Sequence, residues 1–139
     1  MKSYIIAVDF DGTIVEDAYP KIGKPMIFAF DSLKHLQSKG HRLILWTYRN
    51  GKPLEEAVEF CRQNGIEFYA VNSSFEEEEF EEENQSRKIN ADIFIDDRNL
   101  GGFPGWGETV QIIEKKIEFS ITENGVQRRK KKKRGFFGL

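Results

Sequence analysis

Four short apolar runs, separated by longer amphipathic or polar stretches, constrain this chain more than any other feature. They are "YIIAVD" at 4–9, "RLILWT" at 42–47, "EFYAV" at 67–71 and "DIFID" at 92–96. Each is too short for a helix and rich in branched or aromatic side chains, so each reads as a strand buried in a sheet. Helical spacing fills the gaps. Met26, Phe30, Leu33 and Leu36 predict a helix over 26–38, with Pro25 just ahead of it and Gly40 behind. A second helix is expected from Pro53 to about Gln63, closed by Asn64-Gly65. A third spans 108–119, with Val110, Ile113 and Ile117 on one face. Strands alternating with helices in this way predict an α/β fold, a parallel sheet covered by helices. Only the segment 72–90 resists assignment, because Phe75 and Phe80 stand five apart and share no helix face.

At 139 residues the chain suits one core. The expected division is a folded domain over 1–120 and a polar, basic tail over 121–139. The net charge of −2 points to no particular partner, but the charge is unevenly spread. "RRKKKKR" at 128–134 holds seven of the 21 Lys and Arg, and "EEEEFEEE" at 76–83 holds seven of the 23 acids. Runs like these are solvated. The single Cys61 recurs with Leu54 and Val58 at helical spacing, so it reads as a core thiol in a reducing compartment. The apolar start, "MKSYIIAVDF", is too short for a signal peptide or a membrane span, so a cytoplasmic location is expected.

Ligands of open parallel sheets bind beyond the carboxyl ends of the strands. The first run ends at Asp9, with Asp11, Gly12 and Thr13 just past it. The second ends at Thr47, followed by Tyr48 and Arg49, and the fourth at Asp96-Asp97. Four carboxylates and a hydroxyl are therefore expected on one edge. Acids so close repel, and their desolvation is costly. A divalent cation removes the conflict, and oxygen donors without Cys or His select a hard ion such as Mg²⁺. Magnesium in turn suits a phosphorylated substrate. A carboxylate beside it can attack phosphorus, and a second can move a proton. A Thr hydroxyl and a Lys ammonium can hold phosphoryl oxygens. Asp-x-Asp-Gly also serves turns and calcium loops. Here its flanks are a strand and "TIVEDAYP", and the helix pair of an EF-hand is missing.

These residues carry a resemblance. "VDFDGTIV", "LILWT" and "IFIDD", with Lys88 in "RKINADIFIDDR", are similar to the motifs of the haloacid dehalogenase-like (HAD) superfamily over roughly residues 3–118. The resemblance implies a three-layer Rossmann-like fold with a central parallel sheet. It also implies a magnesium-dependent phosphomonoester hydrolase that forms an aspartyl-phosphate. Carried over by position, Asp9 is the nucleophile and a metal ligand. Asp11 is the general acid and base and gives the metal its backbone carbonyl. Thr47 and Gly12 bind the phosphoryl group, and Lys88 balances its charge, with Arg87 as the competitor for that role. Asp97 is the preferred direct metal ligand from the acidic pair, supported by Asp96, and the order is open. Residues 14–25 and 72–87 are too few to fold as a cap, so the chain resembles capless members. Their open sites favour large substrates, or a second copy closing over a small one. The alternatives are a binding or regulatory module that kept the fold, and a phosphatase acting on polynucleotide ends through the basic tail. An acidic body disfavours a nucleic-acid track.

Other residues admit two readings. Arg49 either grips a substrate anion or pairs with Asp97 or Glu55 as structure. Arg98 is expected in a structural ion pair. Phe103 and Trp106, in "NLGGFPGWG", either line the site or pack in the core. Tyr19, Lys21 and Lys24 lie in a flap, "EDAYPKIGKP", as candidate substrate contacts or loop filler. His35 and His41 have no partner cluster and read as structural or surface residues.

Overall fold

The computed structural model describes residues 3–75 and 88–123, with side chains through residue 116. The acidic run, Arg87 and the basic tail lie outside the described residues. The element order is β1 (Ile5–Val8), α1 (Ala29–Ser38), β2 (Arg42–Leu45), α2 (Gly51–Gln63), β3 (Ala70–Val71), β4 (Ile93–Ile95) and α3 (Trp106–Glu123). All four strands are parallel, in the order β3-β2-β1-β4. The sheet is flanked by helices, an α/β arrangement consistent with a three-layer Rossmann-like fold.

Alternation along the strands sorts their side chains. Ile6 and Val8 of β1, with Leu43 and Leu45 of β2, face a core completed by Leu33 of α1, Cys61 of α2 and Ile113 of α3. Ala7 and Ile44 point the other way, into a smaller cluster with Ala70 and Ile89. Both faces of β1 and β2 are thus buried, as an uninterrupted apolar run requires. The register Ile6↔Leu43 and Ile6↔Ile93 keeps the core side chains of neighbouring strands level. Burial pushes the Cys61 thiol up to about 12, which makes it an inert core residue.

Tertiary contacts move several boundaries. The first helix starts at Ala29 rather than Met26. Met26 N–H donates to Ile14 O at 2.8 Å, which ties it to the preceding loop, and Phe28 adopts a left-handed φ of 65°. The third strand shrinks to Ala70–Val71. Glu67 O accepts from Gln37 Nε2 at 2.8 Å, so the start of the expected strand serves α1 instead. The second helix begins at Gly51, which puts Pro53 inside the first turn, where its missing N–H costs nothing. Among the described residues no helix is long and apolar enough to cross a membrane.

The strand order decides where a ligand can sit. From β1 through β2 to β3 the chain moves steadily outward in one direction. It then returns to place β4 on the other side of β1. The gap between the carboxyl ends of β1 and β4 is therefore the switch point of the sheet, where open α/β sheets form their ligand crevice.

Candidate functional site

Asp9 follows β1 directly, and Asp96 and Asp97 follow β4. Asp9 N–H donates to Ile95 O at 2.9 Å, which continues the ladder one residue past β1 and brings the acids together. Carboxylate oxygens of Asp9, Asp96 and Asp97 lie within 4.8 Å of one another. Burial raises the Asp9 carboxyl most, and the Asp96 charge, a hydrogen bond with Asp97 and the Asp97 charge add to it, up to about 8. The backbone N–H of Phe10 opposes the rise. A carboxyl held this way keeps a proton at neutral pH. Three converging oxygens with no nitrogen or sulfur among them fit a hard divalent ion.

Thr13 organises this group, although its position in the motif carries no chemistry by itself. Its side chain is fully buried. The hydroxyl donates to Asp9 Oδ2 at 3.2 Å and accepts from Asp97 N–H at 3.1 Å, so one oxygen joins both sides of the crevice. Trp106 Nε1 donates to Thr13 O at 2.8 Å. Trp106 is buried at the start of α3, so of the two readings for it core packing holds, and Phe103 packs edge-on against it. Gly12 has a φ of 86°, and a Cβ there would overlap the Asp97 carboxylate. The absence of a side chain at 12 is what lets Asp97 close on the loop.

Asp11 does not bring its carboxylate to the other three. Arg49 Nε and Nη2 donate to its two oxygens at 2.7 Å each. The reading of Arg49 as an anion grip for substrate is thereby corrected. Its remaining N–H groups donate to Pro20 O, Lys21 O and Pro53 O at 3.1, 2.7 and 3.1 Å, so all five donors are used. Its side chain is fully buried, between the Phe10 ring at 5.0 Å and the Tyr19 ring at 5.2 Å. The structural partner is Asp11 instead of Asp97 or Glu55. Two residues 38 apart in sequence form this pair, which no local pattern encodes.

β2 stops at Leu45, short of the expected strand end, and Thr47 lies two residues past it, partly buried. Its N–H donates to Asn72 Oδ1 at 2.8 Å, and its hydroxyl accepts from Arg49 N–H at 3.2 Å. Asn72, at a left-handed φ of 53°, sets that position, and nothing in the sequence singled it out. Lys88 is exposed. Two residues on, Asn90 N–H donates to Ser74 Oγ at 2.9 Å, which holds the Lys88 segment beside the loop that follows β3. The flap is a small hairpin closed by Glu16 N–H to Lys24 O at 2.7 Å and by Val15 bridging Pro25. Its Lys21 and Pro20 carbonyls are anchored by Arg49. Arg98 makes no ion pair among the described residues. Its N–H donates to Asp96 Oδ1 at 2.8 Å. His35 pairs with Glu114 on the surface, and His41 is buried, its Nδ1 accepting from Tyr4 N–H at 3.0 Å.

A solved structure of a conserved protein from Bacteroides thetaiotaomicron is 53% identical to this chain. The match covers 83% of this chain and 93% of that one, with a TM-score of 0.78. This chain belongs to that protein's family. No family model matches the chain, and no curated protein does.

Proposed function

We propose that this chain is a magnesium-dependent phosphomonoester hydrolase of the HAD type, working through an aspartyl-phosphate on Asp9. The observation that carries this reading is the approach of the Asp9, Asp96 and Asp97 carboxylates to within 4.8 Å at the switch point of the sheet. Full ionisation of such a group calls for a cation, and it faces open solvent at Asp97. Mg²⁺ bound to Asp9, Asp96 and Asp97, with the Asp11 carbonyl, would neutralise the charge between an attacking carboxylate and a phosphate dianion.

An Asp9 oxygen attacks phosphorus in line, and the bond from phosphorus to the ester oxygen breaks. Asp11 takes a proton from the water that cleaves the aspartyl-phosphate and returns it to a leaving group that needs one, so the protons balance over a turnover. Arg49 uses one lone pair on each Asp11 oxygen and leaves a second on each for that proton. Thr47 and the backbone at Gly12 hold the phosphoryl oxygens, and Lys88 offsets their charge as the pentavalent geometry forms. Thr13 keeps Asp9 and Asp97 in register.

Hydrolysis of 4-nitrophenyl phosphate, with and without Mg²⁺, tests the reading beside an Asp9→Asn variant. Turnover should require the metal and vanish in Asp9→Asn. A metal-independent rate, or an unimpaired variant, rejects the mechanism.

A further inference from the structure

Among the described residues six large apolar side chains stand in solvent: Tyr19, Ile27, Phe28, Tyr48, Phe75 and Leu100. All six fall in segments that follow the carboxyl end of a strand. Tyr19, Ile27 and Phe28 lie between β1 and α1, Tyr48 between β2 and α2, Phe75 after β3, and Leu100 between β4 and α3. In an all-parallel sheet those segments share one edge, which is the edge of the carboxylate crevice. The turns at 39–41 and 64–69, on the opposite edge, hold none.

Two of the six adjoin residues assigned to the site, Tyr19 through its contact with Arg49 and Tyr48 through its place beside Thr47 in the chain. The Tyr19 ring covers the Arg49 guanidinium, which holds both Asp11 oxygens, yet Tyr19 remains 50% exposed. Tyr48 follows Thr47 directly and is 95% exposed, whereas the next residue, Arg49, is fully buried. Nothing among the described residues hydrogen-bonds to Tyr48, so the fold makes no use of its ring. Loops positioned by a rigid sheet carry a disproportionate share of ligand-binding side chains. A π face beside a polar, charge-bearing crevice suits a ligand with a phosphate at one end and a flat ring at the other.

We propose that Tyr19 and Tyr48 form a ring-binding rim, and that the substrates are phosphate monoesters whose alcohol part carries a flat aromatic ring. This rests on the phosphohydrolase reading and names its substrate class. The rim supplies binding to the leaving group, while the crevice takes the phosphoryl group.

The test uses the full chain with Mg²⁺ and two probes that cannot be hydrolysed, phenylphosphonate and methylphosphonate, with affinities read by calorimetry. Ring contacts on this scale give a preference of about 3- to 10-fold for the phenyl compound. Tyr48→Ser should lower the ratio of phenyl to methyl affinity towards one, and Tyr48→Phe should retain it. The fold does not lean on Tyr48, so both variants should remain folded. A ratio near one in the parent, or a ratio unchanged in Tyr48→Ser, overturns the rim and leaves the phosphohydrolase reading standing. If neither phosphonate binds, the site reading fails and takes the rim with it. A matching preference for adenosine 5′-monophosphate over ribose 5-phosphate, read as inhibition of 4-nitrophenyl phosphate hydrolysis, extends the rim to nucleobases. A preference confined to the phenyl pair restricts it to aryl esters.

Discussion

Arg49 and Asp11 form a bidentate ion pair at 2.7 Å on both oxygens, and the fully buried guanidinium also binds carbonyls from the flap and from α2. One side chain thereby fixes Asp11, the flap and the first turn of α2 to one another. The hydrogen bonds to Asp11 raise the Arg49 pKa further, against its burial. Removing Arg49 leaves a half-buried carboxylate and three carbonyls without their donor. Arg49→Met should cost about 3–5 kcal/mol in denaturant unfolding. Arg49→Lys should recover only part of that, because an ammonium has three donors and no planar fork. A loss below about 1 kcal/mol in both variants would contradict the clamp.

Without metal, the Asp9 group should set a pH dependence that the cation reverses. The folded pKa, at about 8, lies above the ordinary value of 3.8, so between those values the native state holds more protons than the unfolded chain. The Asp9 contribution to stability is complete below about pH 4 and is lost as pH rises through 8. In EDTA, the stability of the parent relative to Asp9→Asn should therefore fall across that window. Mg²⁺ competes with the proton, so it should raise Tm more at pH 8.5 than at pH 5. Asp97→Asn removes one repelling charge. It should stabilise the metal-free protein at pH 8 and lose the rise in Tm with Mg²⁺. Thermal melts over a pH series check all three outcomes.

Gly12→Ala should damage the site twice. The left-handed φ of 86° costs an alanine about 1–2 kcal/mol. The new methyl group also displaces the Asp97 carboxylate. The variant should unfold at lower denaturant and bind Mg²⁺ more weakly than the parent. Full retention of metal affinity would show that the Asp97 carboxylate has room to move.

His41 should remain neutral into mildly acidic solution. Burial lowers its pKa, and the His35 charge lowers it further. A depressed folded value means the unfolded chain binds the proton first. The His41 contribution to stability is thus present above about pH 6.5 and is lost as pH falls through the folded pKa. His41→Gln, which can still accept from Tyr4 N–H, should flatten the acid limb of stability between pH 7 and 5. Imidazole proton shifts followed by NMR give the folded value directly.

Local patterning carries much of this protein. The four apolar runs determine the strands, because a segment buried on both faces has to be apolar throughout, and their carboxyl ends mark Asp9, Asp96 and Asp97 in advance. Boundaries were less legible. Met26 and Glu67 look like parts of a helix and a strand, yet each gives a backbone group to a distant partner. The acidic pair and Thr47 are visible at the ends of apolar runs. The roles of Thr13, Asn72 and Arg49 are not, since each depends on atoms 25 to 84 residues away.

The sequence by itself determined that this chain builds a parallel α/β sheet and that carboxylates crowd its ligand edge. Periodicity and strand-end residues are local, and burial acts on them one segment at a time. Only the tertiary structure decided that three acids gather at the β1–β4 switch point while the fourth is held apart by Arg49. Strand order and side-chain pairing are settled between segments, where a charge takes whichever partner the packed fold brings within 3 Å.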